Sequence, residues 1–449
     1  MKKSAYSRSF LLLLGFCAAA AAQNPRSALD RLPASERTLI SIKVVGSKRY
    51  TDQQISAASG LQLGAPIVED DLKKAAVRLG DTGVFTDIGY TYSYSISGTK
   101  LQLQVTDADR FVPVRFEDFV WFTDAEMLQR IKEYAPLFDG QLPTSGKLAD
   151  QVSDVLQAML VERSIPGHVD YVRSGKNDGP VDSIVYSVSD VLIQIRNVNF
   201  NGADGAELPD LKEASRRVFE REYSRTVLSA LVQKQFLPIY YARGYLKAEF
   251  SGPAPKVVKQ PSPTNDEGLP NLTVVDVNFN VAPGKQYRLK GLDWSGNHEI
   301  PTEVLQKMVR VRAGEPANTV KLRDNLGEIQ KLYGSKGYVT AGFKTQAEFD
   351  DAAGTVQIHI AVSEGYEYHM GDLQYRGLDN SLTAKLRNAW KLRPGDVYNS
   401  AYLDEYLPVA HKLLPSNFDW EVASHVTPNL RDKTVDVDLI YTVKALQPQ

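Results

Sequence analysis

The stretch "LKGLDWSGNHEIPTEVLQKMVRVRAGEP", Leu289–Pro316, sets out a strand, a glycine turn, a short amphipathic helix and a second turn in order. Gly296 and Asn297 form the first turn, Pro301 and Thr302 open the helix, and Glu303 suits its positive end. Val304, Met308 and Val311 share one face at i, i+4 and i+7 spacing. His298 and Glu299 lie side by side in the loop and could be read as a chemical pair. The equivalent places elsewhere hold Lys48-Arg49, Asp204-Gly205 and Asp379-Asn380, which have no chemistry in common, so the pair is read as turn.

Those equivalent places exist because the pattern recurs. A glycine follows an alternating strand in "ISIKVVGSKRY" (Gly46), "IRNVNFNGADG" (Gly202) and "MGDLQYRGLDN" (Gly377) as it does at Gly296. The intervals between these glycines are 156, 94 and 81, the first being twice 78, and "VPVRFEDFVWFTDAEML", with Phe122-Thr123 at the turn, fills the gap. A second marker keeps the same period: "DTGVF" (Gly83), "SIPGHV" (Gly167), "YARGYL" (Gly244), "GSKGYV" (Gly337) and, with Asn417 replacing glycine, "PSNFDW". Five repeats of roughly 80 to 90 residues follow.

Between the markers each repeat has two helices separated by a "GxP"-like turn ("LGAP", "DGQLP", "AGEP", "PGDV"). In the fourth, Leu322, Leu326, Ile329 and Leu332 make the apolar stripe of the second helix. After the second marker come two strands joined by a hairpin, the last alternating as Val356, Ile358, Ile360 and Val362 do. The order is β-α-α-β-β, an α+β class. The expected boundaries are 38–108, 110–190 (divergent), 191–283, 285–365 and 366–446 (divergent). The third hairpin is stretched by "SGPAPKVVKQPSPTNDEGLPN", residues 251–271, whose prolines predict an extended, solvated insertion.

This order, with "V.GN" after the first strand, "G.P" between helices, "GY" or "GF" before the second strand and "V.EG" closing the third, resembles the POTRA domain. The fourth repeat matches best and the resemblance covers about residues 38 to 446. It implies tandem repeats, each a three-stranded mixed sheet with two helices on one face, the closing strand central and the second strand an edge. It also implies kinship with the periplasmic arrays of BamA/TamA/Omp85 outer-membrane assembly proteins. In those an array precedes a membrane barrel, whereas only "KALQPQ" follows Val443 here, so the expectation is an array without its barrel.

Composition agrees with export. Lys2, Lys3 and Arg8, the apolar run Phe10 to Phe16 and an alanine tract ending at Ala22 have the layout of a signal peptide over residues 1–22. The bulky Phe16 before Cys17 argues against a lipid anchor. Cleavage removes the single cysteine and takes Lys+Arg from 52 to 49 against 54 Asp+Glu, a balance of about −5. A mildly acidic chain is a poor nucleic-acid binder, and no later apolar run reaches the ~20 residues of a membrane helix. The expected location is the periplasm, in association with the outer membrane.

Catalytic, cofactor and metal motifs are not found. His168, His298, His359, His369, His411 and His425 are scattered, and Asp70-Asp71 and Asp350-Asp351 suit a helix start and a hairpin turn. "YYARGY", Tyr240 to Tyr245, reads as core packing and a turn. The expected chemistry is strand addition: an edge has unpaired N–H and C=O groups that an extended peptide can meet. Candidate edges run over Asp87–Tyr94, Tyr245–Ser251, Tyr338–Ala347 and Trp420–His425. Within them the docking residues are Ile88, Gly89 and Tyr90, then Tyr245, Leu246 and Lys247, and Tyr338, Val339, Thr340, Ala341, Gly342 and Phe343. The function expected is a polypeptide-binding scaffold in outer-membrane protein assembly or secretion. Its partners would be a β-barrel protein, nascent outer-membrane chains or other envelope proteins. The alternative is a structural adaptor that binds folded partners only.

Overall fold

The computed structural model describes residues 27–176, 179–259 and 271–444. The expected signal peptide and the middle of the proline-rich segment lie outside them. The chain divides into two compact units, the first running to Leu192 and the second starting at Ile193.

The first unit opens with a short turn at Leu29–Arg31 and a single helical turn, α1 (Ala34–Arg37). Its first repeat is β1 (Leu39–Val45), α2 (Asp52–Ser59), α3 (Glu69–Asp81), β2 (Phe85–Ser95) and β3 (Gly98–Asp107). The sheet order is β1-β3-β2, with β1 parallel and β2 antiparallel to β3. Next come β4 (Phe111–Phe116), α4 (Asp124–Tyr134), β5 (Gln141–Pro143), α5 (Leu148–Glu162), β6 (His168–Gly175) and β7 (Val181–Ser189), in the order β5-β4-β7-β6.

The chain enters the second unit along β8 (Val191–Asn201), followed by α6 (Leu208–Ser215), α7 (Arg225–Leu231), α8 (Leu237–Tyr241), β9 (Glu249–Lys259) and β10 (Asn271–Ala282). A π-turn at Val232–Phe236 joins α7 to α8, just before Pro238, whose missing N–H cannot bond back along the helix. Then come β11 (Arg288–Ser295), α9 (Thr302–Met308), α10 (Thr319–Ser335), β12 (Gly342–Asp350) and β13 (Thr355–Ser363). Last are β14 (His369–Arg376), α11 (Asn380–Ala389), α12 (Tyr402–Leu413), β15 (Trp420–Asn429) and β16 (Thr434–Val443). The three sheets of this unit are ordered β8-β10-β9, β11-β13-β12 and β14-β16-β15.

One arrangement recurs: the closing strand is central, the first strand is parallel to it, and the second is an antiparallel edge. A parallel neighbour requires a crossover, and the two helices supply it. Alternation along β13 buries Val356, Ile358, Ile360 and Val362 beneath Leu305, Leu322, Ile329 and Tyr333. Each such burial contributes about 1.5–3 kcal/mol. The opposite face is polar, with Gln357 Nε2 donating to Asp293 Oδ2 at 2.9 Å and His359 between Asp293 and Glu348 at 3.1 and 3.2 Å.

The glycine of the first marker is required by contact with the central strand. Gly296 has φ +77°, and a Cβ there would lie 2.3 Å from the Val362 carbonyl oxygen. Gly46, Gly202 and Gly377 meet the carbonyls of Val105, Val281 and Tyr441 in the same way. The "GxP" turn folds back on the start of the first strand, forming bridges Thr38–Pro66, Gln194–Glu222, Arg288–Pro316 and His369–Val397. In the second repeat the turn lengthens into β5. The first strand's outer edge is thus partly covered by its own repeat.

Two local expectations change. The anchor of α9 is the fully buried Leu305; Val304 is exposed, and the helix ends at Met308, where Asn325 Oδ1 accepts the Arg310 N–H at 2.7 Å. The predicted insertion from Ser251 continues instead as paired strand to Lys259, because Pro253 and Pro255 sit in an edge strand where a missing N–H costs no ladder bond.

Substituting Gly296→Ala should cost roughly 1–3 kcal/mol, since both the left-handed conformation and the carbonyl contact oppose a Cβ; urea titration of the fourth repeat's signals measures it. Burial pushes the Tyr50, Tyr240 and Tyr375 hydroxyls from 10.0 up to about 12. Their folded pKa is raised, so the stabilisation is whole below about pH 10 and is lost as pH rises through about 12. Urea midpoints should therefore fall between those values, in step with tyrosinate absorbance.

Candidate peptide-docking groove

In the fourth repeat α10 is capped by Asn318, whose Oδ1 accepts the Lys321 N–H at 2.7 Å. It buries Leu322, Leu326, Ile329 and Tyr333 against β11 and β13, Tyr333 taking the place expected for Leu332. The helix meets the start of β12, where the Tyr333 and Phe343 ring centroids are 6.2 Å apart. Of the β12 residues on the helix side, Phe343 and Phe349 touch the core, while Thr345 and Ala347 stay exposed. Between α10 and β12 runs a groove of about 610 Å³, with Leu322, Leu326, Phe343 and Ile358 as its apolar lining and Gln330 and Thr345 at its rim. Gln330 Nε2 donates to the Ala341 carbonyl at 2.9 Å and fixes the groove's end.

All nine β12 residues pair with β13 on one side only. In an antiparallel pair every second residue turns its N–H and C=O away from its partner, so the far side of β12 presents groups beside the groove that no strand among the described residues pairs.

The turn at Gly296–Pro301 is fastened from the end of β13. Glu364, 9% exposed, accepts the Glu299 N–H and the Tyr333 hydroxyl on one oxygen, each at 2.9 Å. Asp107 does the same in the first repeat, taking the Lys48 and Arg49 N–H groups at 2.7 and 3.2 Å. His298 is exposed, and the exposed Glu299 side chain lies near the Tyr338 hydroxyl. The acid in "V.EG" is a turn anchor, a role its sequence spacing did not disclose.

The expected docking residues divide. Ile88 and Tyr90 lie on β2 facing α3, Tyr90 donating to Glu69 Oε1 at 2.6 Å, and Gly89 is on the other face beside Gln104. Gly342 and Phe343 lie on β12. The rest are not on strands, which is a correction: β9 starts at Glu249 and β12 at Gly342, so Tyr245–Lys247 and Tyr338–Ala341 are turns. Those turns join successive repeats. The Gly244 carbonyl accepts the Tyr287 N–H at 2.8 Å and the Gly337 carbonyl accepts the Tyr368 N–H at 2.9 Å. Leu246 packs on the fourth core, Val339 on the fifth, and Lys247 pairs with Asp351 at 2.8 Å while lying over the Phe349 ring. Ala341 is buried. Tyr240 is enclosed among Tyr245 and Phe250, as a core residue.

Other edges are less open. On β9, Pro253 and Pro255 withdraw donors. Beside β2 the chain's own start is lodged: Leu29 is wholly buried with its backbone near the Tyr92 hydroxyl, and Asp30 Oδ1 accepts the Glu69 N–H at 3.0 Å. That bond holds the Asp30 carboxyl below its ordinary range. Among the described residues no group of three His, Cys, Asp or Glu could hold a metal ion, and no helix is long and apolar enough to cross a membrane.

The repeated mixed sheet with a two-helix crossover and the second strand at its edge defines a modular α+β class. Residues 287–365, the fourth repeat, match the family model for POTRA, described as a surface antigen variable number repeat. A relative from Treponema pallidum, whose name includes the words outer membrane protein assembly factor, is 26% identical over 201 residues, 44% of this chain. The chain spans 23% of that relative's length. Among solved structures, Haemophilus influenzae BamA POTRA3-5 is similar with a TM-score of 0.43 at 21% identity, over 57% of this chain and 97% of that one. POTRA1-3 of Omp85 from Anabaena has a TM-score of 0.24 at 16% identity, over 56% and 96%.

Replacing Tyr333 by Phe should leave Glu364 short of a partner in a buried place and lower stability by about 1–3 kcal/mol, read as a lower urea midpoint with the β12 fold intact.

Proposed function

We propose that this chain takes part in outer-membrane protein assembly on the periplasmic side, holding extended polypeptide by strand addition at its sheet edges. The observation that supports it most is β12, unpaired along its outer side next to an apolar groove. An incoming strand would pair its main chain with β12 and lay every second side chain against α10, giving affinity with little demand on sequence. The POTRA match and the name of the Treponema relative support the setting. Nascent outer-membrane chains are the substrates this reading favours, with an outer-membrane β-barrel protein and other envelope proteins as partners. Weak sites on several repeats of one scaffold would raise the effective concentration of a bound chain. The β2 and β15 edges would be secondary sites.

Adding an extended peptide from an outer-membrane strand to the mature chain should shift the amide signals of Gly342–Asp350. Ala347→Lys, which sets a charge in the groove, should weaken that binding roughly tenfold or more with unchanged melting. Silence along β12, with capture of folded envelope proteins only, would instead favour the adaptor reading.

A further inference from the structure

Two glycines interrupt α10, Gly327 and Gly334, seven residues apart and so on nearly the same side. Glycine inside a helix is less favourable than alanine, so each calls for a physical reason. Gly334 has one. A Cβ there would lie 2.4 Å from Ser400 Oγ, and the Ser400 N–H donates to the Gly334 carbonyl at 3.1 Å. Gly327 has none among the described residues: it is helical, exposed, and a Cβ would meet nothing within 4 Å. It lines the groove beside β12, whose Thr345 and Ala347 are also small and exposed. Three neighbouring positions are therefore kept short around one open space.

We propose that Gly327 forms a slot for one large apolar side chain, aliphatic or aromatic, of the strand held on β12, and so determines which residue that strand presents there. This rests on the docking reading above. The occupant is an extended polypeptide with apolar residues at every second position, because strand addition turns alternate side chains into the groove. Charge agrees: among the described residues Arg323 is the only charged one of the lining, so the groove suits uncharged side chains with a carboxylate beside Arg323. The first repeat holds an internal precedent. There the space between α3 and β2 is taken by the chain's own Leu29, fully buried, followed directly by the carboxylate of Asp30 on the start of α3.

The test uses the full mature chain and two capped peptides alternating threonine and valine, one with phenylalanine at its centre and one with alanine. Affinities are read from amide shifts along Gly342–Asp350. The wild type should prefer the phenylalanine peptide by roughly tenfold. Gly327→Leu should bring the ratio close to one, and Gly327→Ala should reduce it while holding or raising the melting temperature, since alanine suits a helix better. An unchanged ratio in both variants, or equal binding of the two peptides by the wild type, overturns the slot while shifts along β12 leave strand docking standing. Absence of those shifts with either peptide overturns both.

Discussion

The central position of each closing strand is the constraint on which the rest depends. Pairing β13 with β11 in parallel and with β12 in antiparallel fashion forces a helical crossover onto one face and leaves β12 outermost. The same strand's last carbonyls press on the turn that leaves β11, where only glycine fits, and Glu364 just beyond it ties that turn down. Fold signature, core and open edge are three results of one pairing scheme. Any change that displaces β13 would disturb all three.

The second consequence concerns how repeats are linked. The residues after the second helix were expected to begin the edge strand, yet they are spent on the joint. Gly244 and Gly337 bring their carbonyls to the first backbone N–H of the next repeat, and Leu246 and Val339 enter the following core. A residue cannot serve a joint and a free edge together. Docking is thereby confined to the strand proper, beyond Gly342 in the fourth repeat.

The edges themselves are not equivalent. Prolines withdraw donors from β9, Leu29 and Asp30 occupy the space beside β2, and β12 is left with an open groove between it and α10. Similar sheets thus differ in how open their edges are, because prolines and the neighbouring chain decide whether donors and space remain beside the edge.

Periodicity alone disclosed the repeat, its β-α-α-β-β order and the alternation of β13, since burying one face of a strand or helix imposes a spacing that can be counted. It also discounted His298 and Glu299, which the structure leaves exposed. Where β12 begins, that Leu305 anchors α9, and what Glu364 holds depend on contacts between residues distant in the chain, 65 positions apart for Glu299 and Glu364. Local pattern records which face is apolar. Which atoms meet across the sheet, and which edge stays open, are settled only when the closing strand takes its place at the centre.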